Sequence, residues 1–171
     1  MPTTNEFLSK LTRLSGFAII ALGLWLPALS VQAAELTIKG KSYHSKPEST
    51  WVQIGDDKGH GIGTYETFGL SILDDGQVGT FTNKGSFDWN KDAEHHRGYF
   101  VLTFPDGSTL TDHYQGNSWK EGEFTVWEGT GKVIAGTGRF ENVKGDDSYQ
   151  GRRYSNGMAI VDWEYNLVLP D

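Results

Sequence analysis

The last stretch of the chain alternates without a break. Ala159, Val161, Trp163, Tyr165 and Leu167 fall on one parity, and Ile160, Asp162, Glu164, Asn166 and Val168 on the other. A period of two sends successive side chains to opposite faces of a strand, so one face is apolar and the other mainly polar. Shorter runs of β-branched and aromatic residues predict further strands over 49–54, 61–73, 77–82, 98–104, 108–114, 122–128, 132–135 and 147–154. Residues 34–47 form an entry strand and loop. Turn signals punctuate these runs at Asp56-Asp57, Asp74-Asp75-Gly76, Asn83-Lys84-Gly85, Pro105-Asp106-Gly107 and Asn156-Gly157.

Eight to ten strands with no long helical periodicity after residue 34 predict an all-β fold. Closure into a single antiparallel β-barrel of about eight strands removes the exposed edges that a flat sheet would leave. A β-sandwich is the alternative architecture. No proline-rich linker or internal repeat divides residues 34–171, which read as one domain.

The run from Gly136 to Gly145, Gly-Thr-Gly-Arg-Phe-Glu-Asn-Val-Lys-Gly, combines tight glycine turns with two single apolar side chains. Phe140 and Val143, three apart between glycines, suit a short connection that plugs the end of a sheet or barrel. A dinucleotide loop does not fit, because Glu141 stands at the third glycine position and strand-like sequence follows. This stretch resembles the Gly-Thr-Gly-(Lys/Arg)-(Phe/Tyr)-x-x-(Ala/Val/Ile)-x-Gly hairpin of the allene oxide cyclase and dirigent barrel-like group, which is calycin-like. It is most similar to the group's small secreted bacterial members, which have no settled activity. Those members also carry a Gly-Asp-x-x-Gly-His run, matched here by Gly55-Asp-Asp-Lys-Gly-His-Gly-Ile-Gly63, so the resemblance spans Gly55 to Leu169. It implies a barrel and leaves the reaction open, since the group hosts cyclases, coupling guides and proteins of unknown role.

Residues 1–33 read as a secretory signal. Lys10 and Arg13 precede an apolar run from Phe17 to Leu29, and Val31-Gln32-Ala33 offers small residues for cleavage before Ala34. The run contains Pro27 and is short against the roughly 20 residues of a bilayer span, so no stable membrane anchor is expected after cleavage. A periplasmic or secreted location follows. Without Lys10, Arg13 and Glu6 the net charge moves from −7 to −8. An anionic surface without a basic stripe argues against nucleic acid as a partner. The chain has no cysteine, so an exported form must rely on packing instead of disulfides.

Several motifs begin a chemistry without completing it. Asp88-Trp-Asn90-Lys-Asp92 mimics the first half of a calcium loop, but Ala93 and Tyr99 stand where glycine and a bidentate glutamate belong. Glu94-His95-His96, with His113 or His44, could be imagined around zinc or copper, yet adjacent histidines on a strand face opposite ways. Gly116-Asn-Ser118-Trp-Lys120 lacks the second glycine of a hydrolase elbow, and Gly131-Lys132 is followed by valine instead of a P-loop hydroxyl. No metal site and no cofactor are expected.

A barrel of about eight strands can just enclose one ligand, in an apolar pocket with a few convergent polar groups. Candidates for catalysis are His60, Glu66 and Asp112. Candidates for ligand binding are Tyr65, Tyr114, Trp127, Glu128, Asp162 and Glu164. His60 lies in the run matched to the bacterial barrels. The plant cyclases build their pocket with a cysteine that this chain lacks, so their activity is not inferred. The expected function is binding of a small hydrophobic or aromatic ligand in the barrel mouth. The alternatives are an isomerase or cyclase acting on a reactive hydrophobic substrate, and a filled barrel acting as a structural or interaction module. Homo-oligomerisation through the outer face is a further expectation.

Overall fold

Nine strands, all antiparallel to their neighbours, account for most of the chain in this computed structural model, which describes residues 34–91 and 93–170. The expected signal segment and Asp92 of the calcium-like run lie outside the described residues. The strands are β1 (Glu35–His44), β2 (Glu48–Gln53), β3 (His60–Leu73), β4 (Val78–Asn90), β5 (Ala93–Thr103), β6 (Thr109–Glu121), β7 (Phe124–Thr137), β8 (Lys144–Arg153) and β9 (Ala159–Val168).

From β3 to β9 each strand pairs with the next, and β1 closes the circle. It pairs with β9 from Glu35↔Val168 to His44↔Ala159 and with the second half of β3 from Gly40↔Leu73 to His44↔Gly69. The result is a closed eight-stranded barrel, which settles the choice against a sandwich. The ninth strand, β2, continues the line of β1 along the first half of β3, from Glu48↔Glu66 to Gln53↔Gly61.

One end of the barrel is a packed apolar core. The inward face of β9 supplies Trp163, Tyr165 and Leu167; Leu73, Leu102 and Leu110 join them from other strands, and Phe104 from just past the end of β5. Phe140 and Val143 complete it, as the glycine-flanked spacing predicts. Gly138 at φ 61° turns the chain into a short 3-10 turn, Gly138–Phe140, and Phe140 is left 1% exposed. The turns at Gly76, Gly107 and Gly157 form where the sequence places them, each glycine at positive φ.

Other glycines lie mid-strand, which corrects three expected boundaries. Asn83-Lys84-Gly85 is not a turn but the middle of β4, Glu94–His96 belongs to β5, and 122–128 with 132–135 is one strand, β7. The reason is a repeated cross-strand pair of glycine with an aromatic ring. Tyr65 faces Gly85, Tyr114 faces Gly98, Tyr149 faces Gly129 and Trp127 faces Gly151. A Cβ on any of these four glycines would meet the partner side chain at 2.6 Å or less. Absent side chains leave room for rings to lie flat inside a narrow barrel.

Candidate functional site

The opposite end of the barrel encloses a cavity of about 220 Å³. Inward positions of all eight barrel strands line it, with Ser49 of β2, and their chemistry changes with depth. At the floor, the Tyr165 hydroxyl donates to Asp112 Oδ2, and Trp163 Nε1 donates to Ser42 Oγ at 2.8 Å. Asp147, on β8, is paired in register with Tyr165. A β-bulge supports this floor: the β6–β7 register slips between Thr111 and Asp112, so that Asp112 pairs with Val133 and Ile134 bulges outward.

Above the floor is a hydrogen-bonded layer of phenols. Tyr65 and Tyr114 hydroxyls are 2.6 Å apart, and Tyr114 donates to Asn83 Oδ1 at 2.6 Å. Tyr149 meets His96 Nε2 at 3.0 Å. His44 packs tilted against Phe81, with ring centroids 4.3 Å apart, and reaches Thr67 Oγ1 at 3.1 Å. At the mouth, Ser118 donates to Glu94 at 2.8 Å, and the Arg153 guanidinium lies 5.4 Å from the Trp127 ring centre.

Burial controls the electrostatics. It lifts the carboxyl of Asp112 to about 8, with the charge of Asp147 adding and the Tyr165 hydrogen bond opposing. It lifts Asp147 to about 6, with Asp146 adding. Burial presses His44 down to about 3, helped by the positive charge of Arg153, so its ring is neutral. Tyr65 is pushed up to about 12, and Tyr114 and Tyr149 are also raised, in each case chiefly by burial. Near neutral pH the cavity therefore presents uncharged phenols, a neutral imidazole and a protonated Asp112, which can donate as well as accept. Four buried polar atoms here have no hydrogen-bond partner: Asp112 Oδ1, Asp147 Oδ1, His44 Nε2 and Arg153 Nε.

The cavity gathers four of the expected residues: Asp112, Tyr65, Tyr114 and Trp127. The other carboxylates are corrected in placement, since Glu66, Glu128, Asp162 and Glu164 lie on the outer face of the barrel. Strict alternation puts them there. Each is next in sequence to an inward aromatic (Tyr65, Trp127 or Trp163), and Asp162 and Glu164 form ion pairs with Lys41 and Lys39 across β1. Glu66 pairs with Lys84 at 3.1 Å.

His60 sits where β3 begins and is held between two carboxylates, with Nδ1 2.7 Å from Asp56 and Nε2 3.0 Å from Asp88. Those hydrogen bonds, to Asp56 first, raise its pKa. Its ring fastens the loop before β3 to β4, which is a structural clasp. His95 and His113 point outward while His96 and His44 point inward, so the four histidines do not converge. Among the described residues no group of three or more His, Asp or Glu side chains is arranged to hold a metal ion.

Sequence reasoning passed over Asp147, Tyr149 and Arg153 and weighed His44, His96 and Glu94 only as metal ligands, yet all six line the cavity. The signal for three of them lay in pairing β8 against the unambiguous face of β9. Tyr149 opposes Trp163 and Asp147 opposes Tyr165, so Arg153 on the same parity also faces in.

No protein-family profile and no curated protein sequence matches this chain. Solved structures do. A conserved protein of unknown function from Rhodopseudomonas palustris superposes with a TM-score of 0.54 at 9% identity, covering 79% of this chain and 99% of its own. Two pterocarpan synthase dirigent proteins superpose over 82% of this chain. GePTS1 does so with a TM-score of 0.47 at 14% identity over 88% of its length, and PsPTS1 with 0.45 at 18% over 99%. At such identities the likeness to the first of these is one of fold alone: this chain is a β-barrel built like that protein.

Proposed function

We propose that the barrel binds one small aromatic or apolar molecule in its interior. The observation that carries this reading is the combination of an aromatic-walled cavity with buried polar atoms that have no partner in the protein. Leaving such an atom unsatisfied costs roughly 1–3 kcal/mol, so each favours a bound group that completes it. The size narrows the ligand. About 220 Å³ is below the roughly 300–1,000 Å³ of pockets for drug-sized molecules, which suits a one- or two-ring compound. Export with removal of residues 1–33 is part of the proposal, and a mature protein starting at Ala34 is its expected form.

A second reading is favoured by Asp112 specifically. A carboxyl that keeps its proton at neutral pH, beside a second buried carboxyl, can give a proton to a bound substrate and take one back. Confinement with one acid is enough for an isomerisation or cyclisation of a reactive hydrophobic substrate. A binder lined only by aromatics would need no such group.

Native mass spectrometry of the protein purified from its own cells tests the first reading. A stoichiometric small molecule released on denaturation is the expected result. An empty cavity that also takes up no aromatic fragment by ligand-observed NMR would leave only a filled barrel acting through its surface. For the second reading, Asp112→Asn should lower turnover of any responsive substrate about 100-fold or more. Unchanged turnover would remove the catalytic role.

A further inference from the structure

We infer that Arg153 is an anion-binding subsite at the cavity mouth, and that the molecule the barrel takes is an aromatic carboxylate oriented with its charged group outward. This rests on the reading of the barrel as a binding cavity.

Arg153 is the last residue of β8 and belongs to its inward face with Asp147, Tyr149 and Gly151, whereas Arg152 faces solvent. Its Nε is buried and has no hydrogen-bond partner. Among the described residues no carboxylate forms an ion pair with it. Glu94 acts on it only through charge at a distance, because that carboxylate is already engaged by Ser118 at 2.8 Å and lies 3.5 Å from His96 Nδ1. A largely desolvated guanidinium without an anion is an unstable arrangement, and here it lies over the ring of Trp127. The indole is itself fixed, since its ring lies over Gly151, where a Cβ would meet it at 2.5 Å. The guanidinium carbon thus sits 5.4 Å from the centre of a rigid ring. The N–H edge of the guanidinium is left for a planar acceptor, and a carboxylate matches that fork with two parallel hydrogen bonds.

The rest of the cavity sets the orientation. Asp147 lies six residues from Arg153 on the same strand face, about 20 Å deeper along β8 at the usual rise per residue. Asp147 at that end, ionised near neutral pH, would repel an anion, while Asp112 keeps its proton and adds no positive charge to hold one. An anionic group therefore belongs at the mouth and a neutral, hydrogen-bonding ring belongs inside, between Trp127 and the tyrosine layer.

The test is a fluorescence titration of the mature protein with 4-hydroxybenzoate and, separately, its uncharged methyl ester. The wild-type protein should bind the acid about tenfold more tightly than the ester. Arg153→Gln should bring that ratio close to one, and Arg153→Lys should keep part of it, with thermal melts confirming that both variants are folded. A wild-type protein that binds the ester as well as the acid overturns the inference while leaving the cavity as a neutral binding site. An acid preference that survives Arg153→Gln overturns it equally, and would place a different donor at the anion. If neither probe binds, the reading of the barrel as a cavity for single-ring ligands fails, and this inference fails with it.

Discussion

Tyr165 donates its phenolic hydrogen bond to Asp112 across the floor of the barrel, from β9 to β6, two strands that are not neighbours in the sheet. Both side chains are at most 2% exposed, so the pair ties opposite walls together where the packed end meets the cavity. Because this bond lowers the pKa of Asp112 against burial, Tyr165→Phe should raise it further. The same change leaves Oδ2 without its donor, with an expected loss of roughly 1–3 kcal/mol. Carbon-detected NMR of the Asp112 carboxyl through a pH titration measures the shift. A midpoint that falls or stays put would show that the phenol does not control this acid.

Stability should depend on pH with a sign set by the same residue. Asp112 ionises at about 8 in the folded protein against 3.8 for an ordinary aspartate. Between those values the folded state holds a proton that the unfolded chain has released, so stability declines as pH rises through the window. Asp147, raised to about 6, acts in the same direction. His44, lowered to about 3, acts in the opposite one by losing stability as pH falls below its ordinary 6.5. The readout is therefore the difference in melting temperature between wild type and Asp112→Asn at pH 4, 6 and 8. The variant should gain on the wild type with each step upward, and parallel curves would contradict a buried protonated acid.

Phe140 closes the packed end, its ring 4.7 Å from that of Phe104 between centres. Truncation at such a site removes apolar contacts and leaves a void, so Phe140→Ala should cost about 3–5 kcal/mol. Urea unfolding checks this. A loss under 1 kcal/mol would mean that the Gly136–Gly145 connection can be remodelled without the plug.

Gly129 lies under Tyr149, whose hydroxyl would be 2.2 Å from an added Cβ. Gly129→Ala should destabilise the barrel by about 1–3 kcal/mol through overpacking, and it should displace Tyr149 from His96. Loss of the slowly exchanging proton between these two groups in NMR spectra would report the displacement.

The outer carboxylates should behave as solvated ion pairs. Glu66→Gln, Asp162→Asn and Glu164→Gln are expected to leave both the melting temperature and the binding of aromatic probes nearly unchanged. A marked loss of binding from any of the three would place the functional surface outside the barrel.

Much of the barrel was legible in particular residues. The alternation from Ala159 to Val168 identifies β9 and its apolar face, and the five inward residues are at most 7% exposed. Phe140 and Val143 announce the plug because an isolated apolar side chain between glycines has few other uses. Strand ends within β4, β5 and β7 were obscured for one physical reason. Glycine usually marks a turn, and here it makes room for a ring on the next strand, a partnership between residues far apart in sequence.

Local periodicity and backbone preference are enough to establish that the chain is all-β, where most hairpins turn and which face of β9 is buried. Only the tertiary structure decided which polar residues enter the cavity. On β8 both parities carry charge, with Asp146 and Arg152 on one and Asp147 and Arg153 on the other, so no local pattern separates them. Register against β9 does, since a slip of one residue would exchange the two sets. The same long-range pairing carried Asp112 inward and left Asp162 and Glu164 outside.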